Sequence, residues 1–216
     1  IAIPDSVTSI EDGAFYNCSD LTSITIPDGV TSIENSTFFG CNRLWSITIP
    51  DSVTSIGDGA FTDCSLESIT IPDNVTSIGF RAFEGNSLTN ITIPGSVTSI
   101  GGSAFKTCPR LTSVKFYGDA PTFGTYVFNG SFSATIYYYD DATGFSAPTF
   151  QGRPSQILMR ETPSVPILSI GNFYESFQLE NITIDATPTD GYPNTFNYQW
   201  YFNGFTIPSF LGGINP

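Results

Sequence analysis

The sequence predicts a β-rich solenoid, in which short repeats stack as rungs joined through a parallel sheet. Three observations predict it. Ile-Pro recurs at Ile3-Pro4, Ile26-Pro27, Ile49-Pro50, Ile71-Pro72 and Ile93-Pro94, a period of 22–23 residues. Apolar residues fall at fixed offsets within that period, which marks a fold built from repeats. The composition, with 19 Phe and 10 Tyr against 12% charged residues, suits a β-rich chain and not a disordered one.

Each repeat reads as a strand, a turn and a loop. The Leu-x-x-Ile-x-Ile segment, as in Leu21-Thr22-Ser23-Ile24-Thr25-Ile26, is a short strand whose β-branched residues suit a parallel sheet. Pro closes the strand where its missing N–H would break the ladder, and Pro-Asp starts a turn. Val-Thr-Ser-Ile and Ala-Phe follow; the pattern leaves open whether Ala-Phe is a helical turn or irregular. Stacking then builds ladders. They include Leu21, Leu44, Leu66, Leu88, Leu111; Val7, Val30, Val53, Val75, Val97; and Phe15, Phe38, Phe61, Phe83, Phe105, Phe128. One repeat cannot bury such a face, whereas stacked neighbours bury all of it.

The string Ile-Pro-Asp-Ser-Val-Thr-Ser-Ile-Gly-Asp-Gly-Ala-Phe-Thr-Asp-Cys-Ser-Leu, at positions 49–66, resembles the BspA-type leucine-rich repeat. The resemblance covers residues 1–134. It implies a leucine-rich-repeat solenoid, and a bacterial cell-surface or secreted protein with an adhesive role.

Regularity decays after Leu111. Thr135-Ile136-Tyr137-Tyr138-Tyr139, Gly144-Phe145 and Phe150-Gln151-Gly152-Arg153-Pro154 resemble an aromatic C-terminal cap. Without one, the last rung would expose an apolar face and an open sheet edge. The expected organisation is a capped solenoid over residues 1–160, with the cap at about 117–160, then a stiff linker at 161–166. Residues 167–216 resemble part of an immunoglobulin-like β-sandwich, with Trp200 at the core tryptophan and Ala186 near where a first cysteine is common. About half of such a domain is present, so the chain reads as cut at both ends; its first residues fall mid-repeat.

The net charge of −13 argues against nucleic acid, because too few cations are available to displace phosphate counterions. No apolar run is long enough to insert in a membrane. The sequence contains no His, which removes the usual general base, the serine triad and most zinc-enzyme sites. Carboxylate pairs alone would remain for glycoside hydrolysis, but the Asp and Glu mostly follow the repeat period or sit in loops. No enzyme activity and no cofactor are expected.

Cys18, Cys41, Cys64 and Cys108 occupy one position of the repeat, with Asn86 filling the same slot in another. A straight ladder does not converge tetrahedrally on a metal. Buried free thiols are expected, since Cys or Asn could equally satisfy a loop backbone group. Asp5, Asp28, Asp51 and Asp73 form an acidic ladder at the turns, readable as calcium ligands or as local caps of turn N–H groups. Asn-x-Ser/Thr occurs at Asn17, Asn35, Asn74, Asn90, Asn129 and Asn181, as expected by chance in so polar a chain.

The non-core strand positions line one exposed face. Its candidate binding residues are Trp45, Thr48, Glu67, Thr70, Thr92 and Lys115, with Trp45 a large aromatic where its equivalents are Thr or Glu. The expected function is a non-catalytic binding or adhesion module, displaying this face to a protein or glycan at a bacterial surface or matrix. Two rivals stand beside it: a targeting or spacer region of a larger secreted enzyme, and a subunit of an extracellular appendage. Self-association through the C-terminal segment or the solenoid ends is compatible with each.

Overall fold

The computed structural model describes residues 2–159 throughout, and beyond them only the backbone of Ile184–Pro188, Phe196–Phe202 and Phe205–Thr206. In chain order the first strands are β1 (Ser32–Ile33), β2 (Ser55–Ile56), β3 (Ser77–Ile78), β4 (Asn90–Ile93) and β5 (Ser99–Ile100). They are followed by β6 (Ser113–Phe116), β7 (Thr122–Phe123), β8 (Thr135–Tyr139), β9 (Thr149–Phe150) and β10 (Arg153–Leu158). The rungs, at residues 7–26, 30–49, 53–71, 75–93, 97–116 and 121–138, are numbered 1 to 6 below.

Two parallel sheets flank the core. One, in the order β1-β2-β3-β5-β7, pairs the Ser-Ile segments of successive rungs, as in Ile56↔Ile78 and Ile78↔Ile100. The other runs β4-β6-β8-β10-β9, parallel except that β9 joins β10 antiparallel. The wall opposite the expected strands thus forms a sheet of its own, which its two-residue strands concealed in the sequence. Strands β7 and β8 keep the repeat register through residues 122–139, so the sheets run on into the segment expected to be cap.

The expected Leu-x-x-Ile-x-Ile strand is regular only from rung 4 onward. In the first rungs it is reduced to the isolated bridges Ala2↔Thr25 and Thr25↔Thr48. Rung 3 has no ladder pairing at Ile69–Ile71 with either neighbour. Rung length also changes at this point. The polar connection before the strand loses one residue in rungs 3 and 4, at Cys64-Ser65-Leu66 and Asn86-Ser87-Leu88, relative to Cys41-Asn42-Arg43-Leu44. Pairing persists at the start of the strand, where the Glu67 and Thr89 amides donate to Trp45 and Glu67 carbonyls at 3.2 and 3.3 Å. It then lapses.

The Ala-Phe stretch is a chain of turns and not a helix. Alternate amides bond within the rung and between rungs. Those of Ala14, Tyr16 and Cys18 donate to Glu11, Gly13 and Phe15 at 2.8–3.1 Å, and those of Gly13, Phe15 and Asn17 donate to Asn35, Thr37 and Phe39 at 2.7–2.9 Å. The alternation needs two left-handed residues per rung, four apart: Gly13/Asn17, Ser36/Gly40, Gly59/Asp63, Arg81/Gly85, Ser103/Thr107 and Tyr126/Gly130, with φ of 52–80°. At the second position glycine alternates with a side chain. The Asn17 Oδ1 and Asp63 Oδ1 fill the space that a Cβ on Gly40 and Gly85 would need.

The ladders read from the sequence are the core. Phe38, Phe61, Phe83 and Phe105 are fully buried, and the rings from Phe15 to Phe128 stack nearly parallel with centroids 5.3–5.7 Å apart. That offset stacking adds to the burial of each ring. Leu44, Leu66, Leu88 and Leu111 and the Val and Ile walls complete it. Past the last rung, Phe145 contacts Phe116, Tyr138 and Phe150 with centroids 4.5–5.1 Å apart.

The chain divides into two compact units, Ile1–Pro163 and Ser164–Pro216. In the second, β11 (Ile184–Pro188), β12 (Phe196–Phe202) and β13 (Phe205–Thr206) form an antiparallel sheet in that order, with Ile184 opposite Trp200. The expected linker at 161–166, and the rest of the expected immunoglobulin-like domain, lie outside the described residues.

Candidate binding face

The lapse in pairing on the Ile-x-Ile side opens a trough of about 630 Å³ across rungs 2 to 4. It is lined by Ser46 and Thr48 of rung 2, Ser68, Thr70 and Asp73 around rung 3, Asn90 and Thr92 of rung 4, and Tyr117 just past rung 5. Hydroxyls recur there because inward Ile and outward Ser or Thr alternate along each strand. Backbone and flanks of Ile47, Ile69 and Ile71 form the floor. Ile69 is only half-buried, unlike its equivalents Ile24, Ile47 and Ile91.

Of the six residues expected to bind, the trough brings together Thr48, Thr70 and Thr92. Lys115 continues their row, opposite Thr92 on β4 and Tyr137 on β8. Its ammonium lies 4.9 Å from the Tyr117 ring and 5.2 Å from the Tyr139 ring. Hydrogen bonding to Tyr139, and then to Tyr117, holds its pKa above the ordinary lysine value. Trp45 and Glu67 do not line the trough. Trp45, 56% exposed, directly precedes its first lining residue; Glu67 pairs with Arg110 at 3.6 Å.

The cysteine ladder is a hydrogen-bond ladder. The thiols of Cys41, Cys64 and Cys108 donate to the carbonyls of Phe15, Phe38 and Phe83 in preceding rungs at 3.1–3.3 Å. In the same slot Asn86 Nδ2 donates to Phe61 at 2.7 Å and Ser131 Oγ to Phe105 at 2.7 Å. The four cysteines are free, and Cys18 alone is exposed. Burial pushes the Cys41 and Cys108 thiols up to about 11, and Cys64 higher still. Such thiols are protonated and unreactive at neutral pH. Asn86 stands where the connection is shortest. In rungs 2 and 5 the Leu44 and Leu111 amides bond Cys41 and Cys108 carbonyls, whereas in short rung 3 the Leu66 amide bonds Asn86 Oδ1 at 3.1 Å. Asparagine supplies a carbonyl acceptor where cysteine offers only a weak sulfur one.

Asp5, Asp28, Asp51 and Asp73 are exposed in successive turns. Those turns close by backbone bonds, as from Val53 to Pro50 at 3.1 Å. The links to the preceding rung come from the next residue: Ser52 and Ser96 Oγ donate to Val30 and Val75, and Asn74 Nδ2 to Asp51. Among the described residues no group of three or more Asp, Glu, Cys or His could hold a metal.

A second acidic-amide ladder escaped the sequence reading. Asp12 Oδ1, Asn35 Oδ1 and Asp58 Oδ1 each accept the amide one rung on, from Asn35, Asp58 and Phe80, at 2.7–2.9 Å. Its signal was present: all three stand two residues after Ile10, Ile33 and Ile56. The side chains of Asn35 and Asn74, which sit in Asn-x-Ser/Thr triplets, thus link rungs, while that of Asn17 lies against Gly40 of the next rung. Asn181 lies outside the described residues.

A family model, the BspA type leucine-rich repeat region in 6 copies, matches residues 1–47 and 31–157. The chain belongs to the BspA-type leucine-rich repeat family. Among solved structures, this family member is similar to a leucine-rich repeat protein from Bacteroides ovatus, with 33% identity and a TM-score of 0.56. The match covers 65% of this chain and 41% of that one. It is also similar to the T. pallidum leucine-rich repeat protein, with 25% identity and a TM-score of 0.58, covering 71% and 77%. No curated protein matches the sequence. No helix among the described residues is long and apolar enough to cross a membrane.

Proposed function

We propose that this BspA-type repeat array is a non-catalytic binding module of a bacterial cell surface or secreted protein, presenting its Ile-x-Ile sheet face to a protein or glycan. The observation that supports it most is a division of labour along each rung. Positions facing the core stay apolar in every rung, while the outward row admits changes of chemical class: Trp45 and Glu67 among Thr22, Thr89 and Thr112 at one position, Lys115 and Tyr137 after Thr25, Thr48, Thr70 and Thr92 at another. Where the ladder is paired, at Thr92, Lys115 and Tyr137, the rungs hold these side chains at a spacing of about 4.8 Å, so a partner meets them with little ordering cost. In this reading the cluster around Phe145 caps the array, and the C-terminal unit is the immunoglobulin-like spacer that the Trp200 strand resembles. The family and the acidic composition support a location outside the cell.

Binding of residues 1–216 to an immobilised panel of matrix proteins and glycans tests it. A variant carrying Trp45→Ala, Thr70→Ala and Thr92→Ala should lose the captured partner while keeping its melting temperature. Capture unchanged in that variant would remove this face from the function.

A further inference from the structure

We propose that the trough crossing rungs 2 to 4 is a subsite for a neutral glycan chain; this rests on the binding-module reading and narrows its ligand class. A neutral sugar offers hydroxyls that both donate and accept, together with apolar C–H faces. The trough answers both. Ser46, Thr48, Ser68, Thr70 and Thr92 are outward hydroxyls that can also donate or accept, and the Asn90 amide and Asp73 carboxylate add fixed polarity at its rim. Sugar faces stack on aromatic rings, and exposed rings mark either end: Trp45 beside Ser46, and Tyr117, 44% exposed, in the lining at the other end.

Charge and size decide between ligand classes. An anionic polysaccharide would face a chain of net charge −13 and the Asp73 carboxylate, with Lys115 as the nearby cation, already seated between Tyr117 and Tyr139. The anchors of a protein partner concentrate in well-packed, desolvated pockets, whereas the apolar surface here is the thin floor at Ile47, Ile69 and Ile71. The volume of about 630 Å³ lies within the range of small-ligand sites, about 300–1,000 Å³. The trough runs from rung 2 toward rung 5, about 14 Å at sheet spacing, which favours a linear chain of several sugars over a monosaccharide.

The test titrates residues 1–216 by calorimetry with cello-, xylo-, manno- and chito-oligosaccharides as neutral probes, heparin and hyaluronan fragments as anionic ones, and soluble collagen as a protein probe. At least one neutral series should bind, tightening with chain length. Tyr117→Ala and Trp45→Ala should each weaken it about tenfold, equal to about 1.4 kcal/mol. Tyr126→Ala, an exposed aromatic off the trough, should leave it unchanged, and melting curves verify that all three variants fold. Binding of collagen or of anionic fragments alone would overturn the glycan assignment while leaving the module reading intact. Neutral-glycan binding indifferent to Tyr117 and Trp45 would overturn the subsite. No binding to any probe would overturn the glycan assignment, and the module reading would then rest on the wider immobilised panel.

Discussion

Removing one ring from the phenylalanine ladder tests the packing account most sharply at Phe61. The residue is fully buried, and its ring is stacked on Phe38 at 5.3 Å and on Phe83 at 5.4 Å, within 8° of parallel. Phe→Ala in a protein core costs about 3–5 kcal/mol, the higher values arising where surroundings cannot collapse into the cavity. Here the residues carrying the flanking rings are themselves held by rung-to-rung bonds, from the Phe38 amide to Ala60 and from the Phe83 amide to Ala104, both at 2.8 Å. Little collapse is available, so about 4–5 kcal/mol is expected. At about 2–4 °C per kcal/mol for a domain of this size, the melting temperature of the array should fall by about 8–20 °C. Phe15 is only partly buried and stacks on one side, against Phe38, so Phe15→Ala should cost about half as much. Trp45→Ala should change stability by less than about 0.5 kcal/mol, as exposed substitutions do. Circular dichroism melts and guanidinium titrations of the three variants provide the comparison. A loss at Trp45 equal to that at Phe61 would mean the inside and outside of the rungs are reversed.

Asn86→Cys restores the residue of the neighbouring rungs yet should cost about 1–3 kcal/mol, because the Leu66 amide loses its acceptor; a neutral result in chemical denaturation would refute the role given to the short connection. Thr107 lies at φ 54°, where a Cβ is penalised by about 1–2 kcal/mol; Thr107→Gly should therefore be more stable than Thr107→Ala, and the reverse order would contradict the left-handed assignment. Burial holds the pKa of the Cys41 and Cys108 thiols above the ordinary value of 9.0, at about 11. The folded state therefore keeps protons that the unfolded chain releases, so stability is full below pH 9 and declines between pH 9 and about 11. The slope approaches about 1.4 kcal/mol per pH unit per thiol, and replacing Cys41, Cys64 and Cys108 with Ser should flatten it; an unchanged slope would count against their burial. Thiol titration should find Cys18 alone reactive in the native protein and all four after denaturation.

The ladders were legible in the sequence because core positions answer to one requirement, filling a fixed space against the rungs above and below. Leu66 and Phe83 must be large and apolar wherever the chain goes next. Turns are harder to read. Arg81 and Tyr126 occupy left-handed positions that Gly13 and Gly59 also fill, so the backbone there is imposed by bonds to neighbouring rungs and not by local preference. The two-residue Ser-Ile strands were hidden for a similar reason, since no periodicity shows in two residues. At the candidate site, the outward Thr row followed from alternation. The trough did not, because the lapse in pairing at Ile69–Ile71 leaves no mark on the alternation of residue types there.

Amide hydrogen exchange on residues 1–216 tests most directly the claim that tightly bonded rungs carry an opening on one face. Stacked rungs predict slow exchange at Phe38, Phe61, Phe83 and Phe105, whose amides bond the next rung, and at Ile91 and Val114 within β4 and β6. The opening predicts fast exchange at Ile69, Thr70 and Ile71, between those protected stretches. Protection at 69–71 equal to that at 91–93 would mean that the ladder is continuous there, and would remove both the trough and the site built on it.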